Sequence, residues 1–240
     1  MIAIFTDYGV QGPYLGHVYA VLDQYAPDER IITLMADAPR YNPVASAYLL
    51  HALSSMYPTD SMFFAVVDPG VGNNQEKPII MNAGGRWFVG PNNGLFDLVA
   101  RNNKKINSWN VNWKPEKISK TFHGRDLYAP LCGMLANNQV PQGDEFKWVD
   151  KNNFPDNLYE IIYIDNFGNA MTGIRTGQID SKTCLMISGH TLKNAQTFSD
   201  VNPDSGFWFE NSYGLVEIAI NRGSAKKEMG LNIGVIVNIN

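Results

Sequence analysis

Two aspartates stand where an apolar run gives way to a glycine turn: Asp7 in Thr6-Asp7-Tyr8-Gly9, and Asp68 in Asp68-Pro69-Gly70-Val71-Gly72. A carboxylate at the carboxyl end of a strand reaches the place where open α/β sheets bind their ligands. Its two oxygens can accept hydrogen bonds from a ribose diol. Taken singly, each aspartate is equally an Asx turn or a helix cap. A third segment, Thr121-Phe122-His123-Gly124-Arg125-Asp126, sets a histidine in a loop just ahead of a helical run, with Asp126 as the expected cap. An imidazole or carboxylate in such a loop can take a proton from a reacting group. The other histidines are poorer candidates: His17 and His51 fall in amphipathic helical patterns and His190 in a turn.

The last third of the chain holds two further turns with chemistry in them. One is Ile164-Asp165-Asn166-Phe167-Gly168-Asn169; the other is Asn211-Ser212-Tyr213-Gly214, followed by Asn221-Arg222-Gly223. An aromatic face close to an amide is what a purine base requires, one to stack on its ring and one to bond its edge. Other chemistries are excluded. Gly70-x-Gly72 lacks the third glycine of a dinucleotide fingerprint, since Gln75 stands there, and no nucleophile elbow, phosphate-binding P-loop or HExxH helix occurs. Cys132 and Cys184 form no CxxC or metal-ligand pattern and read as reduced thiols, so no metal or cofactor is expected.

The elements that must position these residues follow from periodicity. Ile2–Phe5, Ile31–Met35 and Met62–Val67 read as strands, separated by helical patterns through Leu15, Val18, Leu22 and through 45–53. Ile79–Met81 and Trp87–Val89 read as a hairpin about Gly84-Gly85, and 95–100 and 127–135 as helices. Alternation of strand and helix predicts an α/β domain over residues 1–150, with a mainly parallel, Rossmann-like sheet covered by helices on both faces. A breaker-rich stretch from Pro141 to Asn157 reads as a linker. Beyond it, over 151–240, short strand-like runs at 159–164, 184–187, 214–220 and 234–239 predict a smaller β-barrel-like domain.

A net charge of −4 argues against a nucleic-acid or anionic-membrane partner. No apolar run reaches the ~20 residues that a bilayer span needs. The chain opens directly on a strand with no leader pattern. The expectation is a soluble cytoplasmic protein.

Taken in order, Thr6-Asp7-x-Gly9, Val66-Val67-Asp68-Pro69-Gly70-Val71-Gly72, Gly90-Pro91-Asn92-Asn93-Gly94, Thr121-Phe122-His123-Gly124-Arg125-Asp126, Asp165-x-Phe167-Gly168-Asn169 and Asn211-Ser212-x-Gly214 span nearly the whole chain. This set resembles the S-adenosyl-L-methionine hydroxide adenosyltransferases, also called S-adenosyl-L-methionine hydrolases, relatives of the fluorinase and chlorinase enzymes. The resemblance implies a homotrimer whose sites lie between the N-terminal domain of one subunit and the C-terminal domain of the next, with S-adenosyl-L-methionine or adenosine as the ligand. By this likeness Asp7 holds the ribose hydroxyls and Tyr41 packs beside the sugar. Phe167 stacks on adenine, Asn169 bonds its edge, and backbone near Ile220 and Arg222 completes its recognition. Asp165 and Ser212 hold the methionine end. Gly124 belongs to the binding residues, at the place where halide-using relatives carry a hydroxyl.

The resemblance further implies an Asp–Arg–His set around an attacking water. Asp68 and His123 supply two members. Where the arginine falls, this chain reads Asn73-Asn74-Gln75-Glu76-Lys77-Pro78, one residue longer than the usual pattern. Gln75 stands at the arginine's distance and Lys77 precedes the Pro-Ile pair. The expected reaction is attack of water on the ribose C5′ carbon, releasing adenosine and L-methionine. A second reading stays open: a protein that holds S-adenosyl-L-methionine or adenosine with weak or no turnover, because the arginine is replaced.

Overall fold

In the computed structural model, residues 1–73, 77–139, 141–150 and 152–239 are described. The chain divides into two compact units, Met1–Phe154 and Pro155–Asn240.

In the first unit, strand β1 (Ile2–Thr6) leads into helix α1 (Tyr14–Tyr25), strand β2 (Ile31–Met35), helix α2 (Pro43–Ser54) and strand β3 (Met62–Val66). β1 pairs in parallel with β2 on one side and β3 on the other. β1 and β3 are buried along their whole length, which explains why neither alternates polar with apolar residues. α1 buries Val18 and Leu22 into the cluster formed by Ile2, Ile4, Phe64 and Leu131. α2 starts at Asn42, whose side chain accepts from the Ala45 N–H at 3.0 Å, with Pro43 in the first turn where its missing N–H leaves nothing unpaired. Contrary to the pattern read around His51, α2 is not amphipathic: nearly every residue from Ala45 to Ser54 is buried.

Beyond β3 the alternation stops. β4 (Pro78–Ala83) and β5 (Arg86–Pro91) form an antiparallel hairpin, and β5 joins β3 in parallel. Gly84 and Gly85 both take positive φ, +59° and +80°, as a two-residue hairpin turn requires. After the short helix α3 (Asp97–Arg101), β6 (Ile106–Val111) pairs antiparallel with β4. Helix α4 (Ala129–Ala136) precedes β7 (Gly143–Glu145), which is antiparallel to β6. The order is β2-β1-β3-β5-β4-β6-β7. The sheet is therefore mixed, parallel in one half and antiparallel in the other. A two-residue link cannot carry the crossover that a parallel neighbour needs. The polar stretch after Pro141 is fastened to this unit. Arg101 pairs with Asp150, and the Asn152 amide donates to Asp97 Oδ2 at 2.7 Å.

The second unit contains β8 (Leu158–Ile164), β9 (Ala170–Arg175), β10 (Leu185–Ile187), β11 (His190–Asn194), β12 (Gly206–Glu210), β13 (Leu215–Ile220), the one-turn helix α5 (Ala225–Glu228) and β14 (Asn238–Ile239). Their order is β14-β10-β11-β12-β13-β9-β8, with only β11 and β12 parallel. The last segment nearly closes this sheet on itself. Asn238 and Ile239 pair with β10, while Ile236 bridges to Glu160 of β8 and the Val237 N–H donates to the Tyr159 carbonyl at 2.9 Å. The result is a barrel-like sheet around Ile161, Ile174, Trp208, Val216, Ile218 and Val237. His190 lies in β11 rather than in a turn. Cys132 is buried, Cys184 half-buried, and both are free thiols. Among the described residues no helix is long and apolar enough to cross a membrane.

Candidate active site

In the first unit, Asp7, Tyr41, Asp68, His123 and Gly124 line one cavity of about 420 Å³. Asp7 follows the last residue of β1, and Asp68 lies two residues beyond β3, the next strand in the sheet. Adjacent parallel strands thus deliver both carboxylates to the same edge. Asp7 Oδ2 accepts from the Tyr41 N–H at 3.0 Å, which fixes Tyr41 in a left-handed conformation (φ 57°) with its ring 76% exposed. Asp68 Oδ1 accepts from the Gly70 N–H at 3.0 Å. That is the Asx turn, and it leaves the other oxygen for the cavity. The turn and the functional reading hold together, since a carboxylate has acceptor sites for both.

Burial raises the carboxyl groups of Asp7 and Asp68 above their ordinary range. For Asp68, the Gly70 hydrogen bond and the nearby His123 pull the other way, and Asp7 adds to the rise. A carboxylate held partly out of water is a better proton acceptor than a solvated one.

His123 precedes a wide, π-helical turn at 124–128, closed by the Ala129 N–H to the Gly124 carbonyl. Pro130 follows inside the first turn of α4. It has no N–H to give to residue 126, so the wide turn and the regular helix meet there. Asp126 does not cap this helix. Its Oδ2 accepts from the Ser119 N–H at 2.7 Å and it pairs with Arg125 at 2.6 Å, fixing the loop before His123; Arg125 first, then the Ser119 hydrogen bond, hold its carboxyl low against burial. Gly124 is buried directly beneath Tyr8, and a methyl group at 124 would collide with the Tyr8 hydroxyl.

A second cavity in this unit, about 540 Å³, is lined by Gly72, Asn73, Lys77 and Lys120, and His123 and Tyr128 line both cavities. Lys77 faces this second space and not the one holding Asp7 and Asp68. Gln75 lies outside the described residues. Sequence reading assigned no role to the aromatic or charged residues Tyr8, Tyr14, Arg40 and Tyr128 of the first cavity. Tyr8 stood inside the quoted Thr-Asp-Tyr-Gly segment. Arg40 had no signal, since only the fold brings its charge to bear on Asp7.

In the second unit, Asp165, Phe167, Asn169, Ser212, Ile220 and Arg222 line one cavity of about 880 Å³. Asp165 organises its turn. Oδ1 accepts from the N–H groups of Phe167 (2.9 Å) and Asn169 (2.8 Å), and Oδ2 accepts from the Asn169 amide at 3.0 Å. That bond directs the Asn169 amide, while Phe167 stands 80% exposed with its ring face available. Gly168 takes φ +87° beneath Ser224, where a side chain would meet the Ser224 hydroxyl. The turn bearing Ser212 is held by Asn211. Its Oδ1 accepts from the N–H groups of Tyr213 (2.9 Å) and Leu215 (3.0 Å), and its amide donates to Glu217 Oε2 at 2.9 Å. Glu217, which sequence reading also missed, is only 4% exposed yet lines this cavity. Burial raises its carboxyl; the Asn211 amide opposes the rise and Asp165 adds to it. Its place inside an apolar strand, Leu215-Val216-Glu217-Ile218, was the available signal. Among the described residues no three His, Cys, Asp or Glu side chains gather so as to hold a metal ion.

Comparison with known proteins places both units. Residues 2–143 match the S-adenosyl-L-methionine hydroxide adenosyltransferase N-terminal domain, and residues 159–238 match the C-terminal domain of the same family. The chain is 30% identical to an (R)-S-adenosyl-L-methionine hydrolase of Thermus thermophilus, over 99% of this chain and 98% of that one. It is 31% identical to one of Methanocaldococcus jannaschii, over 76% and 70%. Among solved structures, a conserved protein of Thermotoga maritima superposes with a TM-score of 0.89 at 26% identity, over the full length of both chains. With both halves matched in order, the chain belongs to the S-adenosyl-L-methionine hydroxide adenosyltransferase family.

Proposed function

We propose that this protein hydrolyses S-adenosyl-L-methionine to adenosine and L-methionine. The observation that carries the reading is the meeting of Asp7, Asp68 and His123 on one cavity of a chain belonging to this family. The sulfonium of the substrate leaves as a neutral thioether, so the leaving side needs no acid. The chemistry then rests on the nucleophile: one water, in line with the C5′–S bond and partly stripped of solvent. Asp7 engages the ribose hydroxyls. Asp68, with His123 beside it, accepts the proton of the attacking water as the new C–O bond forms and the C5′–S electron pair passes to sulfur. A halide nucleophile does not suit this site, because two carboxylates face the cavity and would repel it.

Adenine recognition falls to the second unit, with Phe167 as the stacking face and Asn169 as the edge partner, while Asp165 and Ser212 take the methionine end. On this reading the Rossmann-like half of the chain supplies the reacting groups. A homotrimer brings each N-terminal cavity against a neighbour's C-terminal one. The protein acts in the cytoplasm, with neither nucleic acid nor membrane as a partner. The relatives named as hydrolases favour the enzyme over a protein that only holds its ligand.

The test is direct. Purified protein incubated with S-adenosyl-L-methionine is expected to yield adenosine and methionine one to one, read by chromatography. Methylthioadenosine alone, or no product from micromolar enzyme over hours, would sink the reading.

A further inference from the structure

Neither the turn geometry nor the ribose contact accounts for Tyr8, which lines the first cavity. It directly follows Asp7, and its ring is fixed by aromatic neighbours, edge-on to Phe122 at 5.9 Å between centroids and tilted against Tyr14 at 6.3 Å. Its hydroxyl lies over Gly124, whose missing side chain makes room for it. Gly124 adjoins His123 in the chain, Tyr8, Asp68 and His123 all line this cavity, and the charges of Asp7 and Asp68 act on the Tyr8 hydroxyl. The hydroxyl makes no hydrogen bond with any described residue, while the backbone N–H of Tyr8 has its own contact, to Thr6 Oγ1 at 3.5 Å. A half-buried phenol in a cavity, without a protein partner, is a group kept for what enters that cavity.

We propose that Tyr8 is a further catalytic residue, whose hydroxyl binds the attacking water beside Asp68 and His123. This rests on the hydrolysis reading above. The phenol keeps its proton. Burial first, and then the charges of Asp7 and Asp68, hold it above the ordinary tyrosine range. It therefore never competes as a base, and serves as a neutral donor and acceptor at once. Its oxygen lone pair accepts one hydrogen of the water. The other hydrogen of that water goes to Asp68 or His123. With both hydrogens engaged, the remaining lone pair of the water is free to aim at C5′. As the C–O bond forms, one proton passes to the base, the C5′–S pair leaves with sulfur, and the hydrogen held by Tyr8 stays on the product hydroxyl of adenosine. Atoms and charge balance without a co-reactant.

Tyr8→Phe removes the hydroxyl and keeps the ring packing against Phe122 and Tyr14. The expected result is a fall in kcat of about 10-fold, the size of one well-placed neutral hydrogen bond lost in the transition state. KM for S-adenosyl-L-methionine and the melting temperature should stay close to the parent's. A variant with the parent's kcat overturns the proposal. So does a loss that appears wholly in KM, which would make Tyr8 a substrate-binding residue instead. A parent that forms no adenosine overturns the hydrolysis reading itself, a result seen before any variant is made and so distinct from a failure of Tyr8 alone.

Discussion

Asp68 does two jobs with one side chain. Oδ1 closes the turn onto the Gly70 N–H and the rest of the carboxylate serves the cavity. Asp68→Asn separates the two, because the amide oxygen can still accept from Gly70 while the charge is gone. Turnover is expected to fall by roughly 10²-fold or more with little change in substrate affinity, as for loss of a general base. Stability should not fall, since the variant no longer holds a partly buried charge. The pH profile gives a second check. Burial raises the Asp68 carboxyl, so the ionised, proton-accepting form appears only above the ordinary aspartate range. The acid limb of kcat/KM in the parent should therefore lie higher than for a solvated carboxylate, with activity lost as pH falls through it. In Asp68→Asn that limb should disappear from the residual rate. His123→Ala tests the second candidate base by the same rate measurement. Gln75→Arg introduces the arginine that the family resemblance implies for this place, and a rise in rate would place residue 75 at the water.

At the scale of elements, the turn between β12 and β13 depends on one amide. Asn211 joins two backbone N–H groups to the buried Glu217, so its orientation is dictated from both ends. Asn211→Asp keeps the acceptor for the backbone and sets a second carboxylate against Glu217. At neutral pH this should destabilise by about 2–3 kcal/mol, since a buried acceptor loses its donor and gains a like charge. Glu217 already sits above its ordinary range, and the new neighbour pushes it further. Its folded-state pKa exceeds the unfolded one, so the folded state binds the proton more tightly. Stability of the variant should thus recover as pH falls from the raised value toward the ordinary glutamate value, 4.5. Urea denaturation at several pH values checks this. A penalty that does not change with pH would remove Glu217 from the account.

For the molecule as a whole, the residues expected to bind one substrate lie on two cavities, one in each compact unit. Phe167 and Tyr41, a ring from each, are exposed by 80% and 76%. On the proposed function both rings are covered when substrate binds. If subunits supply each other's missing half, light scattering should find a trimer, and dilution that dissociates it should remove activity. A monomer with full activity would falsify the inter-subunit site while leaving the chemistry of Asp68 untouched.

Much of this was legible in the residues. Apolar runs without alternation fixed β1 and β3 as fully buried strands, so Asp7 and Asp68 had to emerge at strand ends. Gly84-Gly85 named its hairpin through positive φ. Such features depend on neighbours in the chain, and a sequence states those. What it left unstated came from distant partners. The antiparallel half of the first sheet depends on β6 finding β4, and β7 finding β6, across long separations. β6, β9 and β11 carry no local signature strong enough to stand out, whereas the aromatic run Phe207-Trp208-Phe209 of β12 was a strand signal left unread. Asp126 looked like a cap until Ser119 and Arg125 took its oxygens. Arg40, Tyr8 and Glu217 joined their cavities only when strands far apart in the chain were laid side by side. The sequence by itself determined which residue types were available and which turns would present them. The tertiary structure decided which of them share a cavity, because burial and the shift of a carboxyl group belong to what surrounds a side chain and not to the side chain alone.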